Sequence, residues 1–80
     1  SRLIASAPLW INREVPELPL SCMSKIRYRQ EDQGCTIKSL ENGMIEVEFD
    51  APQRAVTPGQ YIVLYSAEHC LGGAIIESYL

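Results

Sequence analysis

A chain of 80 residues with 46% apolar side chains and a formal net charge of −3 allows one small folded domain, because a chain of this length buries only about 60% of the surface that its unfolded state exposes. The composition excludes a disordered or fibrous chain, and no apolar run approaches the roughly 20 residues that span a bilayer. The acidic balance excludes a domain-wide electrostatic grip on nucleic acid, so any RNA contact must be local.

The N-terminal quarter of the chain predicts one strand followed by a linker. Apolar residues recur at alternate positions over residues 3–12, and Pro8 inside this run is typical of an edge or bulged strand. Residues 13–21 contain Pro16 and Pro19, which cannot donate to a strand ladder. We therefore expect this linker to fold over one end of a barrel through Val15, Leu18 and Leu20.

Residues 22–30 predict a second strand with a basic face. Its outward positions are Lys25, Arg27 and Arg29, at a spacing of about 6 to 7 Å that roughly matches successive phosphates of a nucleic acid. The other interpretation is a solvated face. If the two strands were neighbours, the basic face would form ion pairs with the acidic stripe of residues 46–50. The residues alone leave both interpretations open.

Two further strands are predicted over residues 35–39 and 44–50. A turn at residues 32–34 precedes the first of them. Between the two strands, Asn42-Gly43 is the strongest hairpin signal in the chain, because both residues tolerate the positive φ angles of a type I′ turn. In the second strand three apolar side chains alternate with acidic ones and are expected to point inward: Ile45, Val47 and Phe49.

The turn from Pro52 to Gln60 carries polar side chains on a rigid backbone, since two prolines and a glycine fix its conformation. No carboxylate lies nearby within this turn, so we expect Gln53, Arg54 and Gln60 to lack internal partners. These side chains are candidates for binding a partner, and the alternative is a tight solvated turn with no binding role.

The remaining residues predict two strands, 61–65 and 69–80, joined by a turn at residues 66–68. Gly72 and Gly73 mark a bulge or a sharp bend in the last strand. Six strands with short turns predict an all-β fold, a small six-stranded antiparallel barrel that is closed or nearly closed. We expect a single domain, with residues 1–21 as the N-terminal strand and linker and residues 22–80 as the barrel body.

The cysteines do not indicate a metal or catalytic centre. Cys22, Cys35 and Cys70 match neither a disulfide framework nor a C-x-x-C metal site, and this favours a reducing compartment. With His69 as the only histidine, we expect no metal ligands. Cys70 is expected to be a buried structural residue, because neighbours in a strand point to opposite faces and His69 cannot serve as its base. We also expect no catalytic residue in this chain, and no signal peptide.

Several linked motifs resemble one known family, the MnmA tRNA-specific 2-thiouridylases. The resemblance covers about residues 23–77 and rests on five segments in order: KIRYRQ, CT, EVEFD, PQRAVTPGQ and CLGG. It departs from the family pattern at Ala74, where a third glycine is common. The resemblance implies a C-terminal β-barrel like domain 2 of elongation factor Tu. It also implies that this chain is the last of three domains in a larger enzyme, after an ATP-binding PP-loop domain and a small central domain.

The resemblance also implies what the parent enzyme does. Members of the family are transferases that adenylate the C2 oxygen of the tRNA wobble uridine with ATP and then deliver sulfur from a cysteine persulfide. ATP and the persulfide donor are implied for the parent enzyme, whereas no cofactor and no catalysis are implied for this chain. The implied partners are the anticodon region of tRNA, the two other domains and a sulfur-relay protein, in the cytoplasm and without a membrane.

The matching motifs imply tRNA contact through Arg27, Tyr28 and Gln60, with Arg29 and Arg54 as further candidates. The alternative is a protein-interaction or domain-docking barrel without direct RNA contact. Such a barrel would use the acidic stripe of residues 46–50.

Overall fold

A computed structural model describes residues 1–27, 31–54 and 56–79. It contains a closed antiparallel barrel with the strand order β1-β4-β3-β2-β5-β6. The strands are β1 (Arg2–Trp10), β2 (Leu20–Lys25), β3 (Gln33–Ser39), β4 (Ile45–Phe49), β5 (Tyr61–Ser66) and β6 (His69–Tyr79), with single 3₁₀ turns at Ile11–Arg13 and Glu41–Gly43. The predicted all-β, six-stranded barrel is confirmed. None of the helical turns in the described part of the chain has the length and apolar character needed to cross a bilayer.

The barrel interior is a single apolar core. Ile45, Val47 and Phe49 on β4 are at most 6% exposed, as the alternation predicts. The remaining core residues come from the other strands: Leu3, Ala5, Cys35, Ile37, Ile62, Leu64, Ala74 and Ile76. Removing these side chains from water is the main driving force for the fold, and closure of the barrel leaves no unpaired strand edge.

Two long connections cross the ends of the barrel. β4 and β5 lie three places apart in the ring of six strands, so the connection between them, residues 50–60, crosses one end of the barrel. β1 and β2 are also three places apart, and the connection between them, residues 11–19, crosses the other end. Leu18 and Val56 pack against the core from these connections. The expectation that Val15 folds over the barrel is wrong, because its side chain is 69% exposed.

β1 carries the irregularity that Pro8 predicts. Ala7 has φ 49°, and the pairing of β1 with β6 shifts between Ser6 and Leu9. The shift reverses which side chains face inward, so Trp10 packs against the core while Leu9 is 70% exposed. The alternation over residues 3–12 therefore does not keep one set of apolar side chains on one face of the strand throughout.

The second strand is shorter than predicted. β2 ends at Lys25, and β3 begins at Gln33, which pairs with Ser24. Ile26 and Arg27, which the prediction places in the strand, lie beyond its end, and Gln33 and Gly34, which it places in a turn, belong to β3. Residues 28–30 of the predicted strand lie outside the described residues. The hairpin at Asn42-Gly43 is confirmed, since their φ angles are 62° and 73°.

Candidate functional site

Two connections lie at the same end of the barrel, and we call them the β2–β3 loop and the β4–β5 loop. The structure describes residues 26, 27, 31 and 32 of the first and residues 50–54 and 56–60 of the second. β2 ends and β3 begins at this end, and the antiparallel pairing of β3 with β4 and of β2 with β5 brings the end of β4 and the start of β5 to it. Three predicted site residues, Arg27, Arg54 and Gln60, thus belong to one face. The other two, Tyr28 and Arg29, lie outside the described residues.

Hydrogen bonds tie the two loops together. The Arg27 guanidinium donates through Nη1 to the Arg54 carbonyl oxygen at 3.1 Å. The Gln33 amide nitrogen donates to the Glu31 carbonyl oxygen at 3.0 Å, and its amide oxygen accepts from Gln53 Nε2 at 3.3 Å. We call Arg27, Gln33, Gln53, Arg54 and Gln60 the polar rim.

Gln60 closes the turn that precedes β5. The Gln60 side-chain oxygen accepts from the Thr57 backbone N–H at 2.9 Å, and the Gln60 backbone N–H donates to the Thr57 carbonyl oxygen at 3.2 Å. Gly59 in the same turn has φ 93°, which favours glycine. The expectation that Gln53 and Gln60 lack internal partners is therefore wrong, because the side chains of both are used by the loop. The Gln60 amide nitrogen has no acceptor among the described residues and remains able to donate to a partner.

Tyr79 anchors the start of the β4–β5 loop. Its hydroxyl accepts from the Gln53 N–H and donates to the Gln53 carbonyl oxygen, both at 3.0 Å, and also bonds to the Ser1 hydroxyl. Tyr79 and Gln33 are the two site residues that the sequence did not suggest. No motif distinguishes them, because each acquires its role only where a strand end meets the loop.

Tyr79→Phe is expected to lower the free energy of unfolding by about 1 to 2 kcal/mol, because the partly buried Gln53 N–H and carbonyl lose their partner. Urea denaturation measures this loss. Tyr65→Phe is the matched control, since the Tyr65 hydroxyl makes no hydrogen bond among the described residues, and we expect it to change stability by less than about 0.5 kcal/mol. Equal losses in the two variants would contradict the anchoring role.

The predicted basic face begins on β2 at Lys25 and the acidic stripe lies along β4, and these two strands are not neighbours in the barrel. β3 separates β2 from β4, so the ion pairs considered between these stripes are absent from the described residues. Glu46 instead lies 3.5 Å from Arg2 and 4.0 Å from Lys38, and Lys25 lies 3.3 Å from Asp32.

The polar rim has a mixed electrostatic character. Arg54 is exposed and forms no ion pair among the described residues, while the exposed carboxylates Glu31 and Asp50 stand at the same end of the barrel. Such a surface suits a few directed contacts rather than a strong positive field.

The three cysteines differ in exposure. Cys35 is buried, Cys22 is half-buried, and Cys70 is exposed. The expectation that Cys70 is buried is wrong: Cys70 is the second residue of β6 and pairs with Tyr65, next to the register shift between Leu64 and Tyr65. Within the described ranges, no three His, Cys, Asp or Glu side chains come together in a way that could hold a metal ion.

Comparisons with known proteins agree with this architecture. A family model described as the aminomethyltransferase beta-barrel domain matches residues 1–76. The tRNA-specific 2-thiouridylase MnmA of Alcanivorax borkumensis is 54% identical over 78 residues, which are 96% of this chain and 21% of the relative. The proteins of the same name from Marinomonas sp. and Protochlamydia amoebophila are 55% and 57% identical, over 96% and 94% of this chain and 20% of each relative. The chain therefore spans about a fifth of the length of these relatives.

Proposed function

Because this chain belongs to the aminomethyltransferase beta-barrel domain family, and its relatives are tRNA-specific 2-thiouridylases, we propose that it is the tRNA-contacting C-terminal domain of an enzyme that 2-thiolates the wobble uridine of tRNA. In this proposal the chemistry, adenylation with ATP followed by persulfide sulfur transfer, belongs to two other domains of the same cytoplasmic protein. The barrel contributes RNA contact and no catalytic group.

The observation that carries the proposal is the junction of the two loops at the polar rim. The bond from Arg27 to the Arg54 carbonyl joins the two loops at this end of the barrel. Guanidinium groups bind phosphates through charged hydrogen bonds that orient a nucleic acid. The side-chain oxygen of Gln60 helps to hold the turn on which Gln60 lies, and this fixes the position of the side-chain amide nitrogen. A hydrogen-bond donor fixed in this way suits a base in a single-stranded loop.

The mixed charge of the polar rim sets the expected strength of binding. Two guanidinium groups neutralise about two phosphates, so the logarithm of the binding constant should fall with the logarithm of salt concentration at a slope of about −1 to −2. We expect weak binding by this chain alone, with further phosphate contacts made by the rest of the enzyme.

A backbone-amide NMR titration with an anticodon stem-loop that carries an unmodified wobble uridine tests the proposal. We expect shifts clustered at Arg27, Gln53, Arg54 and Gln60. A stem of the same base pairs closed by a short unrelated loop is the control RNA, and it should cause smaller shifts. The absence of shifts at millimolar RNA would refute RNA contact by this barrel.

A second candidate is a docking barrel without RNA contact. It is favoured by the exposed apolar side chains at the opposite end, where Leu9, Val15 and Ile11 are 70%, 69% and 50% exposed. The acidic stripe is a weaker docking surface, because Glu46 and Glu48 already lie near Lys38 and Arg2. In this case the stem-loop would not shift the amide signals of the polar rim. The remainder of the enzyme, added as a separate chain, would shift the amide signals of the residues at the apolar end.

A further inference from the structure

Cys22 and Cys35 form a pair of thiols across two strands. They are direct partners in the β2–β3 ladder, with their sulfur atoms 3.8 Å apart. Opposite residues of an antiparallel pair have Cα atoms about 4.5 to 5.5 Å apart, inside the range of about 4.4 to 6.8 Å that disulfides require. The backbone is thus already spaced for a bond between them.

The pair borders solvent on the Cys22 side. Both cysteines line a surface pocket of about 360 Å³, together with Met23, Asp50 and Ala67. Cys22 is half-buried, whereas Cys35 is 2% exposed. Cys22 is therefore the thiol of the pair that an incoming reagent reaches first.

We propose that Cys22 and Cys35 are a dithiol modification site, which a small-molecule disulfide such as oxidised glutathione converts to an intramolecular disulfide bond. Nothing in this proposal depends on RNA binding. The bond would close the base of the β2–β3 loop, which carries Arg27, and would hold β2 to β3 covalently.

The reaction is a pair of thiol–disulfide exchanges. The Cys22 thiolate attacks one sulfur of oxidised glutathione, the S–S bond of the reagent breaks, and one glutathione leaves and takes up the proton that Cys22 lost. The Cys35 thiolate then attacks the Cys22 sulfur, the mixed disulfide breaks, and the second glutathione leaves with the proton from Cys35. Two protein thiols are oxidised and one disulfide is reduced to two thiols.

The environment of Cys22 bears on the rate of the first exchange. The hydrogen bond with Cys35, followed by burial, raises the pKa of the Cys22 thiol, and the same hydrogen bond lowers the pKa of the Cys35 thiol. Because the thiolate is the nucleophile, the first exchange should be slow at neutral pH and should accelerate as the pH rises.

The test uses the 80-residue chain with Cys70→Ser as background, because the exposed Cys70 would react independently. After incubation with oxidised glutathione and alkylation of the remaining thiols, we expect a product two hydrogens lighter, with neither glutathione nor the alkylating group attached. Trypsin separates residues 14–25 from residues 30–38, so the bond should appear as one cross-linked pair of peptides.

Two variants make the outcome decisive. Cys35→Ser in this background should keep one glutathione on Cys22, and Cys22→Ser should leave the buried Cys35 unmodified. Circular dichroism of each variant verifies that the barrel is folded. If the background chain keeps glutathione on Cys22 beside an alkylatable Cys35, or if both thiols stay unmodified at alkaline pH, the proposal is wrong.

Discussion

Gly72→Ala is expected to prevent folding or to lower the free energy of unfolding by about 3 kcal/mol or more. A Cβ atom at Gly72 would overlap the Leu9 carbonyl oxygen and lie 3.0 Å from the Trp10 Cα. These are backbone atoms of β1, which pairs with β6 at this position, so they cannot move without opening the barrel. The φ angle of 151° at Gly72 adds backbone strain for any residue with a side chain.

Urea denaturation and the dispersion of the amide NMR spectrum measure the effect of this substitution. Gly43→Ala is the matched control, because Gly43 also has a positive φ, 73°, but no atom lies within 4 Å of an added Cβ. We expect the control to cost about 1 to 2 kcal/mol, from backbone strain alone. If the two variants lost the same stability, close approach of β1 to β6 would not be the reason for glycine at position 72.

The adjacent glycine is constrained by a different neighbour. A Cβ at Gly73 would overlap the Tyr61 ring and lie 2.8 Å from the Ile62 carbonyl oxygen. A ring can turn away but a strand carbonyl cannot, so both glycines of the CLGG motif have a steric role in closing the barrel.

Arg27→Ala is expected to weaken binding of the anticodon stem-loop by at least about tenfold, since a charged hydrogen bond contributes about 1.5 to 3 kcal/mol and about 1.4 kcal/mol is a factor of ten. In the proposed function Arg27 binds a phosphate and also holds the two loops together through the Arg54 carbonyl oxygen. Titration by fluorescence anisotropy at several salt concentrations measures both the affinity for the RNA and its salt dependence. Loss of one phosphate contact should reduce the salt slope by about one.

Arg13→Ala is the matched control for this substitution. Arg13 is an exposed arginine in the connection at the opposite end of the barrel, so its removal changes net charge equally without touching the polar rim. Arg27→Lys separates the two roles of Arg27, because lysine keeps the charge but lacks the planar guanidinium fork. Equal affinities of the Arg27 and Arg13 alanine variants for the RNA would exclude Arg27 from the contact.

Local chemistry in the sequence determined the elements of the barrel. Alternation placed Ile45, Val47 and Phe49 in the core, because side chains of a strand point to opposite faces in turn. Asn42-Gly43 determined the hairpin, since both residues adopt positive φ angles. The motif resemblance also selected Arg27, Arg54 and Gln60, which the fold brings to one end of the barrel, while Tyr28 and Arg29 lie outside the described residues. All five stay predictions as RNA contacts.

Only the tertiary structure decided which elements meet. The order of the strands in the ring puts β3 between β2 and β4. It also brings Arg27 to Arg54 and Tyr79 to Gln53. It also sets Cys22 opposite Cys35 in the β2–β3 ladder. These contacts depend on how six strands close into a ring, and closure is a property of the whole core. A local pattern predicts which way a side chain points, but its partner is chosen by strands that are distant in the chain.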